Sequence, residues 1–219
     1  MLTSSQNIKS SYFAARSDVH IARKIWHMGS GLCGLSLYLN SSINIRFYAY
    51  FLLLLGVVGI FNDLIRIRVA AYNRFAQKLL GPVMRESEIN SISGLPFYAL
   101  GCSLSLFFFS EKVAILSILF LIFSDPISSY VGVLYGKHKL LPNKSLEGSC
   151  AGFIVCYMLA LFYGLYYGAN GFAFLAFALL AGLVGSLSEL FSINIDDNLT
   201  IPLISGFGLT LLNSVFHIL

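Results

Sequence analysis

The chain has 219 residues, of which 57% are hydrophobic and only 11% charged, and its mean hydropathy is +0.79. Soluble domains carry about 25% charged residues, so this composition excludes an ordinary soluble domain and indicates an integral membrane protein. The net charge of +4 is small and unevenly placed, which speaks to membrane topology and not to nucleic acid.

The first twenty residues form a polar tail with Lys9, Arg16 and Asp18, so no cleavable leader is expected there. Seven apolar stretches follow, at Ile21–Leu39, Phe47–Ile65, Ile92–Phe109, Val113–Tyr135, Gly148–Tyr167, Phe172–Phe191 and Leu199–Leu219. Each is near the ~20 residues that a helix needs to cross a bilayer, whereas barrel strands alternate and are about half as long. The expected fold class is therefore all-α, a polytopic transmembrane helical bundle of about seven spans in one integral membrane domain, 1–219. Cys33, Cys102, Cys150 and Cys156 lie in apolar segments without metal-ligand spacing and read as packing thiols.

With the N-terminus cytoplasmic, twelve of the fourteen Lys and Arg residues fall on the inner side, and only Arg46 and Lys112 fall outside. This is the positive-inside bias. Within the inner set, residues 66–80 place Arg66, Arg74 and Lys78 at helical spacing, displaced from Ile67, Ala71, Phe75 and Leu79. The pattern suggests an interfacial amphipathic helix.

Five groups of residues stand out from the apolar background. In Arg23-Lys24-Ile25-Trp26-His27-Met28-Gly29, Lys24 and His27 share a helical face near the membrane surface. Interfacial anchoring explains that group by itself, although a histidine titrating near neutrality could also contact phosphate or relay a proton. Asp63 and Arg66 have the spacing of an intrahelical ion pair. Arg85-Glu86, on the loop before Gly94, reads as a solvated pair.

The fourth group, Phe123–Phe153, is the one the chain is organised around. Asp125 ends an apolar run, Gly132 and Gly136 follow, and a basic loop holds Lys137, His138, Lys139 and Lys144 before Ser145-Leu146-Glu147-Gly148-Ser149. A carboxylate at the end of a membrane segment is costly without a partner or a function. Glycines next to lysines suit a phosphate, since glycine lets backbone N–H groups approach and lysine supplies charge. Residues 124–149 therefore read as a nucleotide and metal site, although not as a P-loop. The fifth group is Glu189 with Asp196-Asp197-Asn198-Leu199-Thr200-Ile201-Pro202. The run has the form of a helix N-cap, and its carboxylates with Glu189 are oxygen donors of the kind that hold Mg²⁺.

In this order the groups resemble the membrane family of CTP-dependent lipid kinases: dolichol kinase, phytol kinase and CTP-dependent diacylglycerol kinase, related to the phosphatidate cytidylyltransferases. The resemblance is carried by RKIWHMG (23–29), SDPISSYVGVLYGKHKL (124–140), NKSLEGSCAGF (143–153) and DDNLTIP (196–202). The sequence departs from the family pattern at Ser124, where a glycine is usual, and at Pro126, where a small residue is usual.

The resemblance implies transfer of a phosphoryl group from CTP to the hydroxyl of a membrane lipid at the cytoplasmic face. It implies Asp125, Lys144, Glu147 and His27 as catalytic residues, and Gly132, Gly136, Lys137, Lys139, Ser145, Asn198 and Lys24 around the nucleotide. Asp125, Glu189, Asp196 and Asp197 would hold Mg²⁺. A cytidylyltransferase acting on a lipid phosphate is the nearest alternative, with Arg66, Arg85 and Lys24 as extra positive charge. A transporter or scaffold is a more distant one. The acceptor lipid and the oligomeric state stay open.

Overall fold

The apolar stretches become helices whose ends follow local chemistry. The computed structural model describes residues 20–192 and 195–219; the polar tail, with Lys9 and Arg16, lies outside the described residues. The helices are α1 (Ile21–Asn40), α2 (Ile45–Arg68), α3 (Ala70–Leu80), α4 (Gly94–Phe108), α5 (Glu111–Tyr135), α6 (Leu146–Tyr166), α7 (Gly171–Leu190) and α8 (Asp197–Phe216). The side chain of Asn44 caps α2 by accepting from the Arg46 N–H. Gly168 and Gly171 turn the chain from α6 into α7 at φ of 79° and 82°, a left-handed conformation that glycine adopts without a Cβ clash.

The protein is an all-α polytopic membrane bundle. Helices α2, α5, α6, α7 and α8 are long and apolar enough to cross a bilayer. Helix α4 is apolar but has 15 residues, and α1 has 20 residues but includes Arg23 and Lys24. The most buried of the long helices is α5. Its run from Val113 to Ile122 is almost wholly enclosed, with α1, α4, α6 and α8 packed around it.

Two local features differ from the sequence expectation. The first concerns residues 66–80. Helix α2 continues to Arg68, and α3 starts only at Ala70. Arg66 is buried, with hydrogen bonds to Asp63 Oδ1 (2.8 Å), Asn73 Oδ1 (2.9 Å) and the carbonyls of Glu88, Ile89 and Ser91. Five donors in a fixed fork can serve several acceptors at once, and charge spacing alone cannot distinguish that role from a solvated one. Helix α3 presents Arg74 and Lys78 beside exposed Phe75 and Leu79 and packs inward through Asn73 and Ala76.

The second is a small antiparallel hairpin, β1 (Lys139–Leu141) with β2 (Lys144–Ser145), between α5 and α6. It is seated on glycines. A Cβ on Gly148 would lie 2.8 Å from the Ser128 carbonyl oxygen, and one on Gly136 would lie 2.8 Å from Ser145 Cβ. Gly136 has a φ of −69°, so this position needs the absence of a side chain and not an unusual backbone.

Candidate active site

Helices α1, α6 and α8 begin, and α5 and α7 finish, at one end of the bundle. There they surround a polar cavity of about 500 Å³. Lys24 and His27 enter from α1, Arg85 from the loop before α4, Asp125 from α5, Lys139 and Lys144 from the hairpin, Glu189 from α7 and Asp197 from α8. The first turn of α6 lines it with Gly148 and Ser149, and helix N-termini favour anions.

Lys144 is the hub of the acidic side. Its Nζ donates to Glu189 Oε1 at 2.7 Å and lies 3.8 Å from Asp197 Oδ2. Burial acts against the ammonium, but Glu189, Asp197 and Asp125 outweigh it and hold the amine above the usual lysine range. The other Glu189 oxygen, Oε2, is buried without a hydrogen-bond partner among the described residues. Asp125 interacts electrostatically with His27, Lys144, Arg85 and Lys24. Lys24 Nζ reaches Ser129 Oγ at 3.0 Å.

Pro126 shapes the neighbourhood of Asp125. A proline in a helix offers no N–H to the carbonyl four residues earlier, here that of Ile122. Next to it, the Leu121 carbonyl accepts from His27 Nε2 at 3.0 Å. A carbonyl can only accept, so Nε2 carries the proton and Nδ1 is the nitrogen free to act. The His27 ring also stands edge-on to Tyr98, with centroids 4.7 Å apart.

The loop that carries Arg85 is held by two arginine–carboxylate units. Arg23 makes a two-pronged pair with buried Glu88, both contacts at 2.9 Å, and donates to the Val83 carbonyl. Glu88 also accepts from the backbone N–H groups of Arg85 and Gly94. On the other side, Asp63 binds Arg66 and both the N–H and hydroxyl of Ser93. Arg85 is thereby fixed over the cavity, with Asp197 and Asp125 as its principal acidic neighbours. Sequence reading takes Arg85 for a solvated loop residue; the signal that would have placed it is the spacing of Glu88, which only the fold pairs with Arg23. Arg85→Ala is expected to lower turnover by about 10²-fold with little change in melting temperature, and Arg85→Lys to restore only part of it. Equal turnover in the two variants and wild type would remove Arg85 from the site.

Of the residues predicted from sequence, Lys24, His27, Asp125, Gly132, Gly136, Lys139, Lys144, Ser145, Glu189 and Asp197 line the cavity. Ser145 does so as the buried N-cap of α6, accepting from Gly148 N–H at 3.2 Å. Four residues lie outside the cavity lining. Lys137 is exposed beside the hairpin. Glu147 turns to His138, accepting from its backbone N–H and contacting ring Nδ1 at 2.8 Å, so it braces the hairpin. Asp196 is the N-cap of α8, accepting from Asn198 N and Nδ2. Asn198 itself donates to the Gly94 carbonyl, tying α8 to α4.

Burial, reinforced by the adjacent Asp197 carboxylate, pushes Asp196 up to about 6. A carboxyl raised from its ordinary value near 3.9 binds more protons folded than unfolded, so stability falls as pH rises from about 4 through about 6. Asn caps as well as Asp, so Asp196→Asn should retain turnover. Without divalent cations it should also melt about 2–4 °C higher at pH 8, for a gain of about 1 kcal/mol, with no gain at pH 4. Loss of turnover in this variant would return Asp196 to the site.

Among the described residues no three His, Cys, Asp or Glu side chains form a ready-made metal cage. The carboxylates around Lys144 nonetheless fit Mg²⁺, which is held by one or two carboxylates together with substrate phosphates, and Glu189 Oε2 is an oxygen in want of a partner.

A family model described as "Cytidylyltransferase family" matches residues 30–193, most of the chain. The chain belongs to the cytidylyltransferase family. Its relatives in that family place it with the CTP-dependent lipid kinases. It is 35% identical over 167 residues to CTP-dependent diacylglycerol kinase 1 of Schizosaccharomyces pombe, a match covering 69% of this chain and 75% of that protein. The protein of the same name from Saccharomyces cerevisiae is 32% identical over 209 residues, covering 85% and 71%. A probable chloroplastic phytol kinase 2 of Oryza sativa subsp. japonica is 32% identical over 149 residues, covering 58% of this chain and 48% of its own length. No solved structure matches the chain. Lys24, His27 and Asp197 lie outside the stretch matched by the cytidylyltransferase family model, and it is the fold that brings them to the cavity.

Proposed function

We propose that this enzyme transfers the γ-phosphoryl group of CTP to the hydroxyl of diacylglycerol, with the polar cavity facing the cytoplasm. The observation that carries the reading is the arrangement of Lys144, Arg85 and Lys24 around Asp125, Glu189 and Asp197 in one cavity at the bundle end. Phosphoryl transfer needs positioning and charge neutralisation more than covalent help, and this set supplies both. The phosphates of CTP lie against Lys144, Arg85 and the first turn of α6. Asp125 takes the proton of the attacking hydroxyl as its oxygen bonds to the γ-phosphorus and the bond to the β-phosphate oxygen breaks, releasing CDP. His27 stands beside Asp125 with its proton directed to Leu121, which keeps Nδ1 turned to the reacting groups. Mg²⁺, held by Glu189 and Asp197 with the phosphate oxygens, would supply charge neutralisation.

The state of the arginines favours a neutral acceptor over a lipid phosphate. A cytidylyltransferase acting on phosphatidate would need free positive charge for a second anion. Arg66 and Arg23 are committed to carboxylates and carbonyls of the fold. Of the cations that line the cavity, Lys24, Arg85 and Lys144 face Asp125, Glu189 and Asp197, which leaves Lys139 as the surplus charge for the nucleotide and none for a second anion. The polar groups also gather at one end of the helices, unlike the midplane sites of transporters.

The test is to supply the purified protein, with Mg²⁺, either γ-labelled CTP and diacylglycerol or α-labelled CTP and phosphatidate. Label entering phosphatidate from the γ position supports the kinase. A labelled liponucleotide from the α position would replace it with a cytidylyltransferase. Phytol in place of diacylglycerol, as sole acceptor, would keep the kinase and change the substrate.

A further inference from the structure

A second, larger cavity lies on the flank of the bundle. Helix α1 leans on α5, whereas α2 packs on α4, and the wedge left between the two pairs is a cleft of about 920 Å³. Ile25 and Leu37 of α1, Phe51 and Leu55 of α2, and Leu95 and Leu106 of α4 are among its walls, which are apolar almost throughout. At the far end the cleft is closed: Tyr38 stacks on Tyr48 at 5.1 Å, and the Tyr48 hydroxyl donates to the Gly34 carbonyl at 2.7 Å. From Ile25 to Tyr38 the α1 wall is about 20 Å long at ~1.5 Å per residue, more than the ~15 Å of one leaflet. Such walls offer nothing to a nucleotide and suit hydrocarbon.

What separates this cleft from an ordinary lipid-facing furrow is where its near end leads. Tyr98 lines the cleft, and His27, which lines the polar cavity, stands edge-on against it. A third cavity of about 190 Å³ adjoins both: it shares Arg23 and His27 with the polar site, and Trp26, Ser30, Leu95 and Tyr98 with the cleft. His27 and Tyr98 therefore stand between the bilayer-exposed apolar walls and the polar cavity that holds Asp125. Resting on the lipid-kinase reading above, we infer that the cleft between α1 and the α2–α4 pair binds the acyl chains of the acceptor. The lipid enters sideways from the bilayer, and its hydroxyl passes His27 into the polar site.

Gly29 allows a direct test, because it lines the cleft and a Cβ placed there would meet nothing within 4 Å. Gly29→Phe introduces a ring at the opening from an unobstructed Cβ position and improves helix propensity. It should raise the apparent KM for diacylglycerol, as mole fraction in vesicles, by about 10-fold or more, and leave the KM for CTP unchanged. Leu179→Phe, which places the same phenyl ring on the exposed face of α7 away from the cleft, should behave as wild type. As a readout independent of turnover, diacylglycerol carrying a photoreactive group on its acyl chain should label α1, α2 and α4 at the cleft. Unlabelled diacylglycerol should compete, and Gly29→Phe should abolish the labelling. Label spread evenly over α6 and α7, or an unaltered lipid KM in Gly29→Phe with the kinase active, would overturn the proposal. Competable labelling of the cleft in a protein that phosphorylates no lipid would uphold the cleft and remove the kinase reading.

Discussion

Lys144→Ala is expected to lower phosphoryl transfer by about 10³-fold or more and to destabilise the fold as well. The two losses have separate causes. Loss of a cation facing the transferring phosphate costs turnover on the scale seen when charge-stabilising groups are removed from phosphoryl-transfer sites. Loss of the partner of a buried carboxylate costs about 3–5 kcal/mol, since Glu189 is nearly enclosed and its second oxygen is already unpaired. A double variant separates them. Lys144→Ala with Glu189→Gln should recover most of the melting temperature and none of the turnover, measured by label transfer and thermal unfolding in detergent. Recovered turnover in the double variant would reduce Lys144 to a counterion. The amine should add a pH dependence of its own. With the amine held above its usual range, its contribution is constant through neutrality and is lost as pH rises through that elevated value.

Asp125→Asn should retain the fold and lose turnover by about 10²–10⁴-fold, the range for a positioned proton acceptor. The carboxylate is surrounded by His27, Lys144, Arg85 and Lys24, so asparagine keeps the volume while removing both the negative charge and the ability to take a proton. Binding of CTP, followed by a fluorescent analogue, should persist or tighten in this variant, because a negative charge facing the phosphates is gone. Weaker CTP binding would instead point to Asp125 as the holder of the metal that accompanies the nucleotide.

The bundle was legible in the sequence because spans announce themselves by length and apolarity, and the site because acids and lysines are costly beside hydrocarbon. The composition that reveals Asp125, Lys144 and Glu189 does not say which way a polar side chain turns. Arg66 and Arg85 illustrate this: both are arginines near membrane ends, yet one is bound into the fold through Asp63 and Asn73 and the other faces the cavity. Glu147 and Asp196 do not line the cavity, and local hydrogen bonds join them to His138 and Asn198. The glycines were legible as places of close approach, although what approaches Gly136 and Gly148 is the protein itself.

Helix α4 has a consequence for how the enzyme meets its substrates. Its 15 residues rise about 22 Å, short of the ~30 Å hydrocarbon thickness. The segment preceding it has backbone groups satisfied by Arg23, Arg66, Asp63 and Glu88, which is what a segment set below the membrane surface requires. Set there, the segment would leave a dimple in the surface, and on the proposed function the nucleotide would descend toward the lipid instead of the lipid being lifted out of its leaflet. Catalysis of this kind obeys surface dilution: diluting the acceptor with inert lipid slows it, whereas adding buffer at constant CTP does not.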